Sequence, residues 1–407
     1  MKKSRLGEIA DVEISGIDKK TKDGESAVRL CNFTDVYYNW AITKNMYEGL
    51  MQASASDSDI ETFSLCKGQV AITKDSETRD DIGVATYIAD DFDDVVLGYH
   101  CALITPRTDV SEDEKIYGKY LNALLHTKYA QKYFSNNATG SGQRYTLSKE
   151  AIEDMPVYLP SFKEQVRIGD YLSDIDKKIE TNNLINAELE ALAKRIYDYW
   201  FVQFDFPNEE GKPYKSSGGK MVWNETLKRE IPEGWKVDKV SNVLGKVVST
   251  QRLSTNDYLD DGLFPIIDQA TNNYIAGYTN METAVSTQYP AVIFGDHSCA
   301  VKYVNFPFVR GADGTQVLIS NNDRISEEYL YFSVGYVKMR EGYARHFSFL
   351  KESLIVIPNT KQAEDFKSIA SSLFSHITHK REEIRSLSNL RDYLLPLLMN
   401  GQITVKD

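Results

Sequence analysis

The chain has 407 residues, of which 42% are hydrophobic, and a formal net charge of −12 at pH 7. That length suits two globular domains with connecting helices, and the apolar fraction excludes a disordered chain. No stretch is apolar enough for a membrane span or a signal peptide, so we expect no contact with membranes and a cytoplasmic location. The four cysteines are scattered without a C-x-x-C pair, which excludes a disulfide framework and the usual zinc clusters.

Residues 1–158 predict a first domain that is rich in strands. KGQVAIT, VATYIA and HCALITP alternate or run apolar in the manner of strands. A helical stretch, EDEKIYGKYLNALLHTKYAQKYF, precedes the loop NNATGSGQRYTL. Gly140 and Gly142 make that loop flexible and allow a ligand to approach the backbone closely.

Basic and aromatic residues concentrate in this region although the chain as a whole is acidic. Residues 126–149 contain no Asp or Glu, and cations alternate there with tyrosines and Phe134. A similar stretch, YVKMREGYARHFSFLK, spans residues 336–351. Because phosphate contacts are local, an acidic body with basic patches suits a protein that binds DNA at defined places. A solvated charged surface is the alternative interpretation.

Residues 159–204 follow a heptad pattern that predicts a long coiled-coil helix. The seam positions in this helix are Ile168, Leu172, Ile175, Ile179, Asn182, Asn186, Leu189 and Ile196. Asparagines at seam positions typically set register and partner choice at some cost in stability. The segment FPNEEGKPYKSSGG, residues 206–219, is rich in Pro, Gly and Ser, and residues 205–230 are interpreted as a linker.

A second domain is predicted over residues 231–357, opening at IPEGW and containing the strands FPII, PAVIFG, AVKYV and TQVLIS. A second long helix follows over residues 358–403, and Gly401 is a suitable stop signal. Its seam positions are Leu373, Ile377, Ile384, Leu387 and Leu394. Lys380 and Arg391 also fall on the seam, where we expect them to pair with groups of the first helix.

The boundary between domain and helix is repeated. SKEAIEDMPVYLPSFKEQ spans residues 148–165, and LKESLIVIPNTKQ spans residues 350–362. The repeat predicts an α+β protein with two pseudo-symmetric domains, separated by two long antiparallel coiled-coil helices. Helices of about 35–38 residues are roughly 55 Å long, which corresponds to at most about 16 base pairs of B-DNA. Ordinary helices packed on their own domains are the alternative.

These segments resemble the specificity subunit of type I restriction–modification systems. The resemblance covers nearly the whole chain and is most specific in residues 141–180, 232–235 and 292–318 and in the terminal RSLSNLRDYLLPLLMNGQI. It implies two target-recognition domains, each reading one half of a bipartite gapped site in double-stranded DNA. It further implies that the helices set the gap and dock two methyltransferase subunits, with restriction subunits as further possible partners. The second boundary departs from the pattern, because it lacks the Glu-Gln that follows Lys163.

Groups that can reach base edges and phosphates are the candidates for DNA contact. In the first domain they are Lys74, Ser141, Gln143, Arg144, Tyr145, Thr146 and Lys149. In the second domain they are His297, Lys302, Arg310, Arg345, His346 and Lys351. Lys149 equally well begins a helical turn. Lys74 is a weaker candidate, because strand ends are often charged for solubility alone. The alternative for Arg310 is a buried arginine that braces a loop. Asp296 and His297 invite an acid–base interpretation, which we reject because no nucleophile or third ligand lies at a recognisable spacing.

The sequence contains no Asn/Asp-Pro-Pro-Tyr/Phe motif of adenine methyltransferases and no G-x-x-x-x-G-K-S/T loop for ATP. We therefore expect a non-catalytic recognition subunit that binds no cofactor and carries no metal site or catalytic residue. S-adenosylmethionine would belong to methyltransferase subunits, and ATP with Mg²⁺ to a restriction subunit. Two alternatives from other classes are a coiled-coil assembly scaffold that does not read DNA and a nuclease or hydrolase with an unrecognised site.

Overall fold

The computed structural model describes residues 2–142, 144–339 and 345–406. It divides into two compact units, unit 1 with Met1–Thr181 and Glu383–Asp407, and unit 2 with Asn182–Glu382. Each unit contains mixed helix and sheet, as the predicted α+β class requires. None of the helices in the described ranges is long and apolar enough to cross a membrane.

Unit 1 contains strands β1 (Lys2–Arg5), β2 (Ala10–Ile14), β3 (Ser26–Cys31), β4 (Ala41–Ile42), β5 (Met51–Ala55), β6 (Val70–Thr73), β7 (Asp75–Ser76), β8 (Ala85–Ile88), β9 (Val95–Leu97), β10 (Cys101–Pro106), β11 (Thr139–Ser141), β12 (Arg144–Thr146) and β13 (Pro156–Leu159). Its helices are α1 (Leu6–Ile9), α2 (Phe33–Tyr38), α3 (Asp57–Phe63), α4 (Gly118–Leu125), α5 (Lys128–Asn137), α6 (Lys149–Glu153) and the first part of α7 (Phe162–Tyr197).

A five-stranded sheet of order β2-β10-β6-β8-β4 forms the centre of unit 1. Smaller sheets have the orders β5-β3-β9 and β11-β12-β7, and β1 pairs with β13. The three strands predicted from KGQVAIT, VATYIA and HCALITP are confirmed as β6, β8 and β10. The predicted helical stretch forms α4 and α5. It divides into α4 and α5 at His126, because the Thr127 side chain accepts a hydrogen bond from the Ala130 N–H and starts a new helix.

Unit 2 contains strands β14 (Met221–Asn224), β15 (Arg229–Pro232), β16 (Lys236–Lys239), β17 (Phe264–Ile267), β18 (Gly277–Thr279), β19 (Val285–Ser286), β20 (Ala291–Gly295), β21 (Val301–Val304), β22 (Phe308–Arg310), β23 (Thr315–Leu318) and β24 (Leu354–Ile357). Its helices are α8 (Val240–Val243), α9 (Glu327–Gly335), α10 (His346–Glu352) and the first part of α11 (Thr360–Met399). The sheets have the orders β18-β17-β22-β19, β21-β20-β23, β14-β15 and β16-β24. The strands predicted from FPII, PAVIFG, AVKYV and TQVLIS are β17, β20, β21 and β23.

The two units repeat one frame. In unit 1 the opening strand β1 pairs antiparallel with β13, and α7 follows β13 directly. In unit 2 β16 pairs antiparallel with β24, and α11 follows β24 directly. The matched boundary segments of the sequence are therefore the exits of two equivalent strand pairs. A proline follows each exit strand, where its missing N–H does not interrupt the ladder.

Residues 205–230, interpreted from composition as a linker, are anchored to unit 2. Phe206 stacks on Tyr214 and Trp235 with ring centroids 4.6 and 5.1 Å away. The buried Asp205 carboxylate accepts a hydrogen bond from the Ser216 hydroxyl at 2.6 Å. Aromatic anchors hold this segment in place, although its Pro and Gly content is typical of a flexible linker.

The long helices α7 and α11 have 36 and 40 residues. In unit 1 their segments run in opposite directions, since Asp176 pairs with Arg391 and Lys178 pairs with Glu383. The pairing of Arg391 with the first helix agrees with the expectation from sequence. Gly401, predicted as the stop, has a left-handed φ of 67°.

The predicted seam positions differ in burial. Ile168, Leu172, Ile175, Asn182 and Ile377 are buried, whereas Ile179, Asn186, Leu189, Ile196, Leu373, Ile384, Leu387 and Leu394 are half-buried. In unit 1 the core residues Ile168 and Leu172 belong to one cluster with Leu395 and Leu398 of α11. The predicted seam residue Leu394 is partly buried and packs against the same cluster.

Candidate nucleic-acid interface

A hairpin made of β11 and β12 presents the candidate residues of unit 1. Its outer pair is Ser141 opposite Arg144, and β12 in turn pairs with β7. Gly140 has a φ of 140°, and a Cβ built there would lie 2.1 Å from the Arg144 carbonyl oxygen. Only glycine fits at that position, so it fixes how the two strands of the hairpin approach. Gln143 lies outside the described residues.

The Asp75 carboxylate joins three basic side chains behind this hairpin. Its Oδ2 atom accepts hydrogen bonds from Lys74 Nζ at 2.8 Å and from Arg144 Nη2 at 3.1 Å. His100 Nδ1 lies 2.6 Å from the same oxygen. The Asp75 side chain is 8% exposed, whereas that of Arg144 is 53% exposed. The arrangement fixes one end of the guanidinium and leaves the rest of it accessible.

Burial by itself raises the pKa of Asp75, but hydrogen bonds from Lys74, Thr146 and His100 outweigh burial and hold the pKa well below its usual range. Asp75 is therefore a carboxylate throughout the neutral range. The Asp75 carboxylate thus forms ion pairs with both Lys74 and Arg144.

Aromatic and acidic side chains form a cleft of about 580 Å³ beside Arg144. Phe33 and Tyr37 are stacked along it, with ring centroids 5.6 Å apart. The Tyr37 hydroxyl donates to the Asp81 carboxylate at 2.8 Å, and Tyr38 is 76% exposed. Flat rings and hydrogen-bonding groups along one cleft can contact bases by stacking and by their polar edges.

The other candidates of unit 1 are engaged in local contacts. The Arg79 guanidinium lies 5.2 Å from the centroid of the half-buried Tyr145 ring. Thr146 is half-buried in β12. Lys149 is the first residue of α6, and its Nζ donates to Glu13 Oε1 at 3.0 Å. The structural interpretation of Lys149 as the start of a helical turn is thus correct, although 39% of its side chain stays exposed.

In unit 2 Asp296, rejected from the sequence as a catalytic acid or base, caps α10. Its Oδ1 atom accepts the Phe347 N–H at 2.8 Å, and its carbonyl oxygen accepts the His346 N–H at 3.0 Å. His346 is buried, while the preceding Arg345 is exposed at the N-cap of α10. The rejection of Asp296 and His297 as an acid–base pair agrees with this capping role, and the His297 N–H is held by Gln269 Oε1 at 3.2 Å.

Lys302 and Arg310, two of the candidates for DNA contact, brace loops. Lys302 is 7% exposed and donates to the carbonyl oxygens of Asn273 and Tyr274 at 2.7 and 3.2 Å. Burial lowers the pKa of Lys302. Arg310 Nε donates to the Thr315 carbonyl oxygen at 2.7 Å, the bracing role weighed from the sequence. Lys351, in the last turn of α10, lies 5.1 Å from the Phe347 ring.

Sequence reasoning missed Asp75 and His100. Both stand at strand ends, Asp75 one residue after the predicted candidate Lys74 and His100 at the start of HCALITP. Position at a strand end was the available signal, but the chain gives no sign that residues 75, 100 and 144 meet. Over the described ranges, no group of three or more His, Cys, Asp or Glu is placed to hold a metal ion.

Comparisons with known proteins point to one family. Residues 1–191 match the family described as type I restriction modification DNA specificity domain. The type I restriction enzyme MjaIX specificity subunit of Methanocaldococcus jannaschii is 23% identical over 341 residues, which cover 76% of this chain and 76% of that protein. The HindI specificity subunit of Haemophilus influenzae is 23% identical over 398 residues, which cover 81% and 85%.

A crystal structure of the type I restriction–modification S subunit from M. genitalium has the same fold. It superposes with a TM-score of 0.57 at 14% sequence identity, covering 98% of this chain and 95% of that one. The repeated frame with its two long helices is therefore the fold of a specificity subunit. The first 191 residues thus match a type I restriction modification DNA specificity domain, and most of the chain is similar to type I specificity subunits.

Proposed function

We propose that this chain is a non-catalytic subunit in which each unit reads one half of a bipartite, gapped site in double-stranded DNA. The observation that carries the proposal is the repeated frame, β1 with β13 and β16 with β24, holding two different surfaces. Unit 1 presents the hairpin with Arg144, whereas unit 2 presents the exposed N-cap of α10. Equivalent frames with unlike surfaces suit the reading of two unlike half-sites.

The two long helices would set the gap and dock two methyltransferase subunits. Helices of 36 and 40 residues have lengths of about 54 and 60 Å at 1.5 Å per residue. Large apolar side chains stay exposed on α7, including Leu184, Ile185 and Leu192 at 45%, 38% and 38%. Exposed apolar side chains on a helix surface suit protein contacts. S-adenosylmethionine would be bound by the methyltransferase subunits, and ATP with Mg²⁺ by restriction subunits that can join the complex.

Within unit 1, we assign DNA contact to Arg144, Tyr145, Thr146 and the exposed part of Lys149. Within unit 2, Arg345, Lys351 and His297 remain candidates. Lys302 and His346 are not carried forward because both are buried. Arg345 and the lysines among these residues would contact phosphates, which fix the register of a protein on the duplex.

The test is to co-express the chain with a methyltransferase subunit in a host free of DNA methylation, and to map modified adenines. We expect a two-part motif with a fixed gap. Replacing residues 6–155 with the equivalent segment of another specificity subunit should change only one half of that motif. A well-formed complex without sequence-specific methylation would overturn the proposal and favour the scaffold function.

A second measurement separates DNA reading from scaffolding. Binding of the complex to a cognate duplex should weaken steeply as salt rises, since each neutralised phosphate releases counterions. A scaffold without DNA contacts would show a flat salt dependence and equal affinity for cognate and scrambled duplexes.

A further inference from the structure

Arg144 combines exposure with a fixed position. More than half of its side chain is exposed, yet its Nη2 atom lies 3.1 Å from the buried Asp75 carboxylate. That carboxylate is itself held by Lys74 Nζ at 2.8 Å. The guanidinium also lies 5.9 Å from the centroid of the Tyr99 ring. A side chain held in this way loses little further freedom when it binds a ligand, which favours specific recognition.

The surroundings of Arg144 favour a base edge over a phosphate. Glu77 and Asp81 line the same cleft, and Asp75 already neutralises one charge at the guanidinium. Carboxylates repel a phosphate group, whereas the edge of a base pair carries no net charge. The planar fork of a guanidinium matches the O6 and N7 acceptors of guanine in the major groove.

Building on the proposed function, we propose that Arg144 is a specificity-determining residue that reads a guanine in the half-site of unit 1, and that Asp75 is the residue that positions it. Asp75 does not touch DNA in this arrangement. It acts by holding Nη2, so that the remaining guanidinium donors face the groove in one orientation.

The experiment uses the full chain in complex with its methyltransferase subunits, and duplexes that vary one position of the mapped motif at a time. Arg144→Ala should lower the preference for guanine at one position of one half-site by about 5- to 150-fold, the range of a good bidentate contact. The other half-site should be read as before. Arg144→Lys should restore only part of the preference, because an ammonium lacks the planar fork.

Asp75→Asn and Asp75→Ala test the positioning role. Both should lower discrimination at the same single position, with the alanine variant showing the larger loss. A merely structural role would slow methylation of every duplex by one factor and leave the ratio between bases unchanged. The asparagine variant keeps the shape of the side chain, so that it reports on positioning even where the alanine variant folds poorly.

Arg107 and Asp11 form the matched control pair in the same unit. Arg107 Nη2 lies 2.7 Å from Asp11 Oδ1, and the two side chains are 36% and 56% exposed. Arg107→Ala and Asp11→Asn should leave discrimination at every position unchanged.

Three results would overturn the inference. One is a half-site of unit 1 that contains only A·T pairs. Another is an Arg144→Ala complex that methylates all duplexes more slowly by one factor and has a shallower salt dependence, which is the signature of a phosphate contact. Unchanged discrimination in both Asp75 variants would refute the positioning role. In all three cases the wild-type complex still yields a bipartite motif, whereas the absence of any motif would defeat the proposed function itself.

Discussion

Asn182 gives a sharp prediction about the stability of α7. Its side chain is fully buried at a seam position, and its amide oxygen and nitrogen have no hydrogen-bond partner within the described part of the chain. An unsatisfied buried polar group costs about 1–3 kcal/mol. Asn182→Leu removes that cost and keeps a side chain of similar size, so we expect the free energy of unfolding to rise by about 1–3 kcal/mol.

Asn183 supplies the control, because it is the adjacent residue of the same helix and is exposed. Asn183→Leu makes the same chemical change outside the core and should alter the free energy of unfolding by less than about 0.5 kcal/mol. The assay is urea unfolding followed by far-ultraviolet circular dichroism and by tryptophan fluorescence. An unchanged or lower midpoint for Asn182→Leu, with the slope unaltered, would refute the reasoning.

The same substitution tests the role of Asn182 in register. Polar residues at coiled-coil seams trade stability for one defined pairing. We therefore expect the more stable Asn182→Leu chain to populate additional assembly states, seen as a broader mass distribution in light scattering after size-exclusion chromatography. A single sharp species identical to the wild-type chain would show that this asparagine does not set the pairing.

Three further predictions concern the hydrophobic cores and the loss of stability at acid pH. Leu172 is fully buried in unit 1, so Leu172→Ala should lower the free energy of unfolding, measured in urea, by about 2–5 kcal/mol. Leu184 is 45% exposed, so Leu184→Ala should change it by less than about 0.5 kcal/mol. Equal effects of the two substitutions would contradict this difference in burial. Phe366 is buried, so Phe366→Ala should lower the free energy of unfolding by about 3–5 kcal/mol. Trp223 is 56% exposed, so Trp223→Ala should lower it only slightly. Thermal melts of both variants measure the difference. The pKa of Asp75 is lower in the folded protein than in the unfolded chain, where it is about 3.9. The Asp75 carboxylate therefore contributes its full stabilisation above a pH of about 3.9, and this stabilisation is lost as the pH falls towards the pKa of the folded state. Asp75→Asn should therefore make the urea midpoint of unfolding less dependent on pH in the acid range. A midpoint that varies with pH as steeply as in the wild-type protein would contradict this prediction.

Local patterns were sufficient to predict the elements that bury their own residues. The apolar run Val70–Thr73 is a fully buried central strand, and the heptad pattern within residues 159–204 forms α7, Phe162–Tyr197. Gly401 ends α11 because only a residue that tolerates a positive φ can turn the chain there. In each case the signal lies within a few residues of the feature, so sequence alone is informative.

The misses arise from tertiary contacts. Lys302 looks like a surface cation, but the carbonyl oxygens that hold it come from residues 273 and 274 on another segment. Asp75, His100 and Arg144 meet although they are separated by up to 69 residues along the chain. The contacts of residues 205–230, interpreted as a linker, also come from outside the segment, since Phe206 stacks on Trp235. The composition of a segment does not show which residues of other segments will contact it, and those contacts determine whether its side chains are buried or exposed.

Residues 6–155 form one excursion of the chain, which leaves the paired strands β1 and β13 after Arg5 and returns to them at Pro156. The four residue pairs from Lys2 with Leu159 to Arg5 with Pro156 place the ends of this excursion side by side, about 4.8 Å apart across the ladder. Insertions and deletions within the excursion therefore need not displace the first turn of α7. β16 and β24 enclose residues 240–353 in the same way. Under the proposed function, genetic recombination at these two strand pairs would exchange a whole DNA-reading unit. The complex would then acquire a new DNA target while the two long helices stay unchanged.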